Sequence, residues 1–261
     1  MPPPEARLRL GQCDVLVVGT IAGFVPDAAR IDAAFAAHRP DRVALGIPPE
    51  DLATLGTLAS APQPEALIGA HQAPPSAGRR RMSDPGAGAA GIEALSDPRP
   101  RTMPRLDAGD DRPIAGLDAA SVRLLELLGR FGPTRIPSPD LESAHRLAAA
   151  AAVPLVAIDL DDAAHAEAFT RLVKVRHLIR SNSREKKLLA EEFAAAPDAY
   201  ALAAAWDAQQ TRVKPLAAIE RLREQHMAVR LRELAGRSAR LLAILPATRM
   251  AGVARDIGEG I

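Results

Sequence analysis

Asp159 and Asp161 are the carboxylates best placed to do chemistry. They follow the apolar run from Val153 to Ile158, in Ile158-Asp159-Leu160-Asp161-Asp162. Acids at the carboxyl end of a parallel strand lie where α/β proteins bind ligands, and the competing use is to cap the next helix. His38 and His226 each fall on an apolar helical stripe and read as core or boundary side chains. His145, His165 and His177 sit on separate helical turns, with no His-x-x-x-His or Glu-x-x-His pair expected to hold a metal. Cys13 has no neighbouring histidine and reads as a small buried thiol. Gly19-x-x-x-Gly23 follows a strand, but a dinucleotide fingerprint needs three glycines and a phosphate loop needs Gly-Lys-Ser/Thr. There is no Gly-x-Ser-x-Gly nucleophile elbow.

Composition narrows the classes further. The chain has 261 residues, 48% hydrophobic, which suits one large or two small domains with a real core. Thirty-three basic and 32 acidic residues leave a formal net charge of +1, so no global pull towards nucleic acid or anionic membrane is expected. Aromatics are only 3%, which argues against nucleic-acid stacking platforms. A single cysteine excludes an internal disulfide and a cysteine-rich zinc site. No run approaches the roughly 18 apolar residues of a membrane span, and no secretory signal is read before Cys13. The expectation is a soluble cytoplasmic protein.

These residues must be positioned by a βαβ unit over Asp14 to Ile47. Val15 to Val18 reads as a fully buried strand ended by Gly19-Thr20, and Pro26-Asp27 suits a first helical turn. Ala28, Ile31, Ala34, Phe35 and His38 form the helical stripe. Arg39-Pro40-Asp41 breaks the helix and Val43 to Leu45 starts the next strand, so a parallel sheet with a right-handed crossover follows. Residues 1 to 11 read as a loose lead-in, and Pro48-Pro49-Glu50-Asp51 opens a short helix to about Ser60. From 71 to 113 the chain is rich in Pro, Gly and Arg, and is expected to be a disordered insert. The run Arg79-Arg80-Arg81 within it reads as solvated loop. Leu117 to about Gly129 is a helix; Ser138 as cap and Pro139 at the first position start another, reaching Ala152. Ala163 to Ala235 reads as helices broken near Ser181–Ser183, Pro197 and Pro215. In the last of these Leu216, Ile219, Leu222, His226 and Val229 form an apolar stripe, with Met227 and Leu231 beside it. Arg240 to Leu245 is a final strand before a short terminal helix. The fold class is α/β: a central, mostly parallel sheet flanked by helices, with a large helical block before the last strand, in one domain over 1–261.

The order of these pieces resembles the TraB family, the pheromone-shutdown (PrgY-like) group related to the Tiki metalloproteases. There a strand ends in Gly-Thr-Ala-His and a helix leads to a Pro-Asp-x-Val strand ending in Glu. Here the matching residues are Gly19-Thr20-Ile21-Ala22 and Arg39-Pro40-Asp41-Arg42-Val43-Ala44-Leu45-Gly46. The family's Ile-Asp-Arg-Asp is matched by Ile158-Asp159-Leu160-Asp161, and its Arg-Asp-Glu-Tyr-Met-Ala by Arg223-Glu224-Gln225-His226-Met227-Ala228. Its last strand and Gly-x-x-His are matched by Ile244-Leu245-Pro246-Ala247-Thr248-Arg249 with Gly252-Val253 following. The resemblance covers nearly the whole chain outside 71–113.

The departures from that pattern carry the functional expectation. The two histidines and the glutamate implicated in metal chemistry are here Ala22, Arg249 and Gly46, and the arginine of Ile-Asp-Arg-Asp is Leu160. A methyl group and a hydrogen donate no lone pair, and a guanidinium stays protonated. At about 4 Å from a divalent ion and an effective dielectric near 20, Arg249 would repel it by roughly 8 kcal/mol. No catalytic residue, metal or other cofactor is therefore expected at the family position. The resemblance implies that Arg223 and Arg249 converge near the Gly19-Thr20 turn, ready for an anion or already paired with Asp159 or Asp161. The reading is a catalytically degenerate, regulatory binding protein for a peptide or protein partner, with no nucleic acid. Its rivals are a metal-dependent hydrolase with relocated ligands and a small-anion binder. The Ala- and Leu-rich helical faces suit a homodimer.

Overall fold

The computed structural model describes residues 4–58, 67–68 and 117–258. The 71–113 insert lies outside the described residues. Five strands form one sheet: β1 (Glu5–Leu10), β2 (Cys13–Thr20), β3 (Arg42–Leu45), β6 (Leu155–Ala157) and β7 (Arg240–Pro246), in the order β1-β2-β7-β3-β6. A separate ladder joins β4 (Leu67–Ile68) to β5 (Thr134–Arg135). All pairings in the main sheet are parallel except β1–β2.

The central strands are apolar on both faces because helices cover both. In β7, Leu241 to Leu245 are all buried, and in β2 every residue except Asp14 is. One face, with Val15, Val17, Ala243 and Leu245, packs on Met227, Ala228 and Leu231 of α8 (Lys214–Ala235) and Val253 and Ile257 of α9 (Met250–Gly258). The other, with Leu16, Val18, Leu242 and Ile244, packs on Ile31 and Ala34 of α1 (Pro26–His38), Leu55 of α2 (Pro49–Leu58) and Ala144 of α4 (Pro139–Ala150). A third cluster gathers Ile21 and Phe24 with Leu128 of α3 (Ala119–Leu128), Leu188 of α6 (Val175–Ala190) and Leu202 and Trp206 of α7 (Ala199–Gln210). The remaining helix, α5 (Asp162–Leu172), lies against α8.

Two local expectations, the lead-in and the helix break near Ser181–Ser183, are corrected. Residues 5–10 are not a loose lead-in but an edge strand, with Ala6, Leu8 and Leu10 turned to the core and Glu5, Arg7 and Arg9 to solvent. Charges on the outer side of an edge discourage further strand pairing. The two strands of the βαβ unit are parallel as expected, and β7 lies between them. Ser181–Ser183 do not break the helical block; they lie inside α6, where the Ser183 hydroxyl donates to Ile179 O at 3.1 Å. In α8 the residues packed on the sheet are Met227, Ala228, Leu231 and Leu234, while Ile219 lines the cavity between the helices. The Leu222–His226–Val229 stripe instead lines a shallow groove against α5, leaving Val229 49% exposed.

Candidate functional site

The carboxyl ends of β2, β7 and β3 stand side by side, as the register Thr20↔Pro246 and Leu45↔Ile244 requires. The loops leaving them are stitched together: Ala247 N–H donates to Thr20 O and Gly46 N–H to Ile244 O, both at 2.8 Å, and Asp159 N–H to Ile47 O at 3.2 Å. This edge therefore gathers Gly19, Thr20, Gly46, Asp159 and Arg249, and Arg223 reaches it from α8. Gly19 and Gly46 are there for closeness. A Cβ on Gly19 would lie 2.4 Å from Met250 Sδ and 3.0 Å from Ala247 Cα; one on Gly46 would lie 2.9 Å from Pro246 Cδ. Ala22 is exposed on the loop after β2, and Asp161 is exposed at the start of α5, where it accepts from Ala164 N–H at 2.7 Å. Asp161 is thus a helix cap.

Both arginines are occupied by carboxylates. Arg223 Nη2 lies 2.5 Å and Nε 3.1 Å from Asp159 Oδ2, and Nη1 lies 2.9 Å from Glu220 Oε2. Burial works against the Arg223 charge, but Asp159 and Glu220 outweigh it and hold the group above the ordinary guanidinium range. Arg249 does not pair with Asp159 or Asp161. It bonds Asp207 of α7, and its Nε lies 3.0 Å from Glu220 Oε2 and its Nη1 3.7 Å from Glu224 Oε1. Glu224 also meets Arg221 and Arg255, and Arg221 clamps Asp256 of α9. Burial raises the Asp207 carboxyl above its usual range, Arg249 opposes the shift, and the neighbouring charge of Glu220 adds to it. The glutamates at i and i+4 in IERLRE hint at an ion-pair face. Asp207, in AWDAQQ, carries no such signal.

A second buried polar cluster sits under the β2 loop. Asp27, fully buried on α1, accepts from Ile21 N–H and Arg30 Nη1, both at 2.7 Å, and from the Tyr200 hydroxyl. Arg30 also donates to Gly19 O at 2.8 Å and stacks 5.3 Å above the Tyr200 ring. Burial first, then Asp27, drives the Tyr200 phenol well above its normal range. Ser138 does precede α4, but its hydroxyl makes no cap bond: it donates to Asp140 Oδ1 at 2.5 Å and accepts from Gly23 N–H at 2.7 Å. The Thr20 hydroxyl also bonds Asp140, whose carboxyl burial pushes up. The Thr20 hydroxyl thus helps to hold α4 against the end of β2.

Beside this edge α3, α5, α6, α7 and α8 enclose a cavity of about 330 Å³. Asp118, Glu185, Asp207 and Glu220 line it, against the cations Arg184 and Arg249.

No protein-family model, curated protein or solved structure matches the chain.

Among the described residues no group of three or more His, Cys, Asp or Glu side chains could hold a metal ion. His38 is a core histidine, its Nε2 3.2 Å from Leu241 O. Contrary to the expectation that no Glu-x-x-His pair exists, Glu142 and His145 share one turn of α4 at that spacing, with Glu142 ion-paired to Arg135. Cys13 is buried, and that burial, reinforced by Asp41, raises its thiol. Among the described residues no helix is long and apolar enough to cross a membrane.

Proposed function

We propose that the chain is a divergent TraB-like protein that keeps the cleft at the carboxyl edge of the sheet and uses it to bind, not to catalyse. Its partner is a peptide or protein segment, and its role is regulatory. The observation that carries this reading is Arg249. At the position the resemblance assigns to a metal-binding histidine, a permanently charged guanidinium is held by Asp207 and Glu220. The flanking cavity has room for one or two side chains and more carboxylates than cations on its walls, so a lysine, arginine or amino-terminal group suits it best. A small anion is disfavoured, because both arginines already hold carboxylates. A hydrolase with relocated ligands has little support, since Arg135 takes the one glutamate spaced to work with His145.

The test uses the single tryptophan, Trp206, which neighbours Asp207. Titration with a lysine-rich peptide should shift its emission saturably. An acidic peptide of equal length should not, and Glu185→Gln should weaken the response. Stoichiometric zinc, manganese or cobalt in the purified protein would overturn the reading.

A further inference from the structure

The charge of the whole chain hides a strong local asymmetry on α6. Val175, Leu178 and Ile179 are 73%, 40% and 65% exposed, and they account for three of the four large hydrophobic side chains exposed among the described residues. Their spacing puts them on adjoining outward positions of the first turns, while Leu188 faces the core. Lys174, Arg176, Arg180, Lys186 and Lys187 are exposed around and beyond them. Arg176, Arg180 and Lys187, at i, i+4 and i+11, run down one flank. The helix contains a single acid, Glu185, and that residue turns towards the cavity.

We propose that this face of α6 is a docking surface for an anionic lipid bilayer, on which the helix lies flat. A convex face with aliphatic groups in the middle and cations beside them matches the boundary between acyl chains and acidic headgroups. The competing partners match less well. A nucleic acid would set phosphates against Val175 and Ile179, and α6 carries no Phe, Tyr or Trp for a base to stack on. An acidic protein would need a complementary apolar pocket for three side chains that project from a convex surface. Three aliphatic side chains alone bind a membrane weakly, and so do a few cations alone, so the two contributions are required together. Among the described residues no helix is long and apolar enough to span a bilayer, and the net charge of +1 conceals the excess of cations on α6, whose single acid is Glu185.

The full-length protein is sedimented with phosphatidylcholine vesicles and with vesicles containing about one-third phosphatidylserine. Binding is expected only to the second, and it should weaken steeply as salt is raised. Each cation removed by Arg176→Gln or Arg180→Gln should cost roughly fivefold in partitioning. Val175→Ser with Ile179→Ser should cost at least as much, while leaving the melting transition in place, because both side chains are exposed. Three results would overturn the proposal: no sedimentation with the anionic vesicles, equal binding to neutral ones, or binding that the serine variant leaves unchanged. In the last case, competition by soluble polyglutamate would identify an acidic protein as the partner.

Discussion

Arg249 Nε lies 3.0 Å from Glu220 Oε2, and the same oxygen receives Arg223 Nη1 at 2.9 Å. One carboxylate of α8 thus ties the loop after β7 to the acid that follows β6. Removing Arg249 leaves Asp207, Glu220 and Glu224 facing one another with less counter-charge. Arg249→Met should therefore cost about 3–5 kcal/mol in urea unfolding. Arg249→Met combined with Glu220→Gln should cost less than the sum of the two single changes, because the stranded charge is removed with its partner.

Gly46 offers a test of how closely the carboxyl edge of the sheet is packed. Its missing side chain is what lets β3 end against Pro246 and Leu245. Gly46→Ala should destabilise by about 1–3 kcal/mol through overpacking. The triple change Ala22→His, Gly46→Glu, Arg249→His should bind no stoichiometric metal in elemental analysis and should unfold earlier than the parent protein.

Asp140 gives stability a pH dependence of definite sign. Its folded-state pKa is raised above 3.8, so over the interval from there upward the folded protein holds more protons than the unfolded chain. Stability contributed by this site must then fall as pH rises through that interval, and stay constant above it. Asp140→Asn keeps an acceptor oxygen for Ser138 and Thr20 but cannot ionise. The difference in unfolding free energy between the variant and the parent should grow in the variant's favour from about pH 4 upward and then level off.

Tyr200 joins α7 to α1 through the fully buried Asp27. Tyr200→Phe should cost about 1.5–3 kcal/mol, the range for a hydrogen bond to a charged group. Because Arg30 donates both to the same hydroxyl at 2.6 Å and to Asp27, the effects of Tyr200→Phe and Arg30→Met should not add in a double-mutant cycle.

Much of the scaffold was legible from local pattern. The Val15–Val18 and Leu241–Leu245 runs are continuous because both sides of each strand are covered, and Pro26 and Pro139 mark helix starts at their fixed backbone angle. The first strand was missed although ARLRL alternates, since three half-buried apolar groups make a weak signal. The α8 helix carries two apolar faces, and periodicity cannot say which of them meets the sheet.

Sequence alone determined the α/β class and the order of the main strands and helices after the first strand, since each follows from side-chain type or short-range spacing. Only the tertiary structure decided that β7 enters the sheet between β2 and β3, that Arg249 answers to Asp207 and Glu220, and that Asp27 meets Tyr200 across 173 residues. Such contacts join chemically ordinary residues brought together by the burial of sheet faces. Which carboxylate meets which guanidinium is set by packing at the edge of the sheet, where no local rule operates.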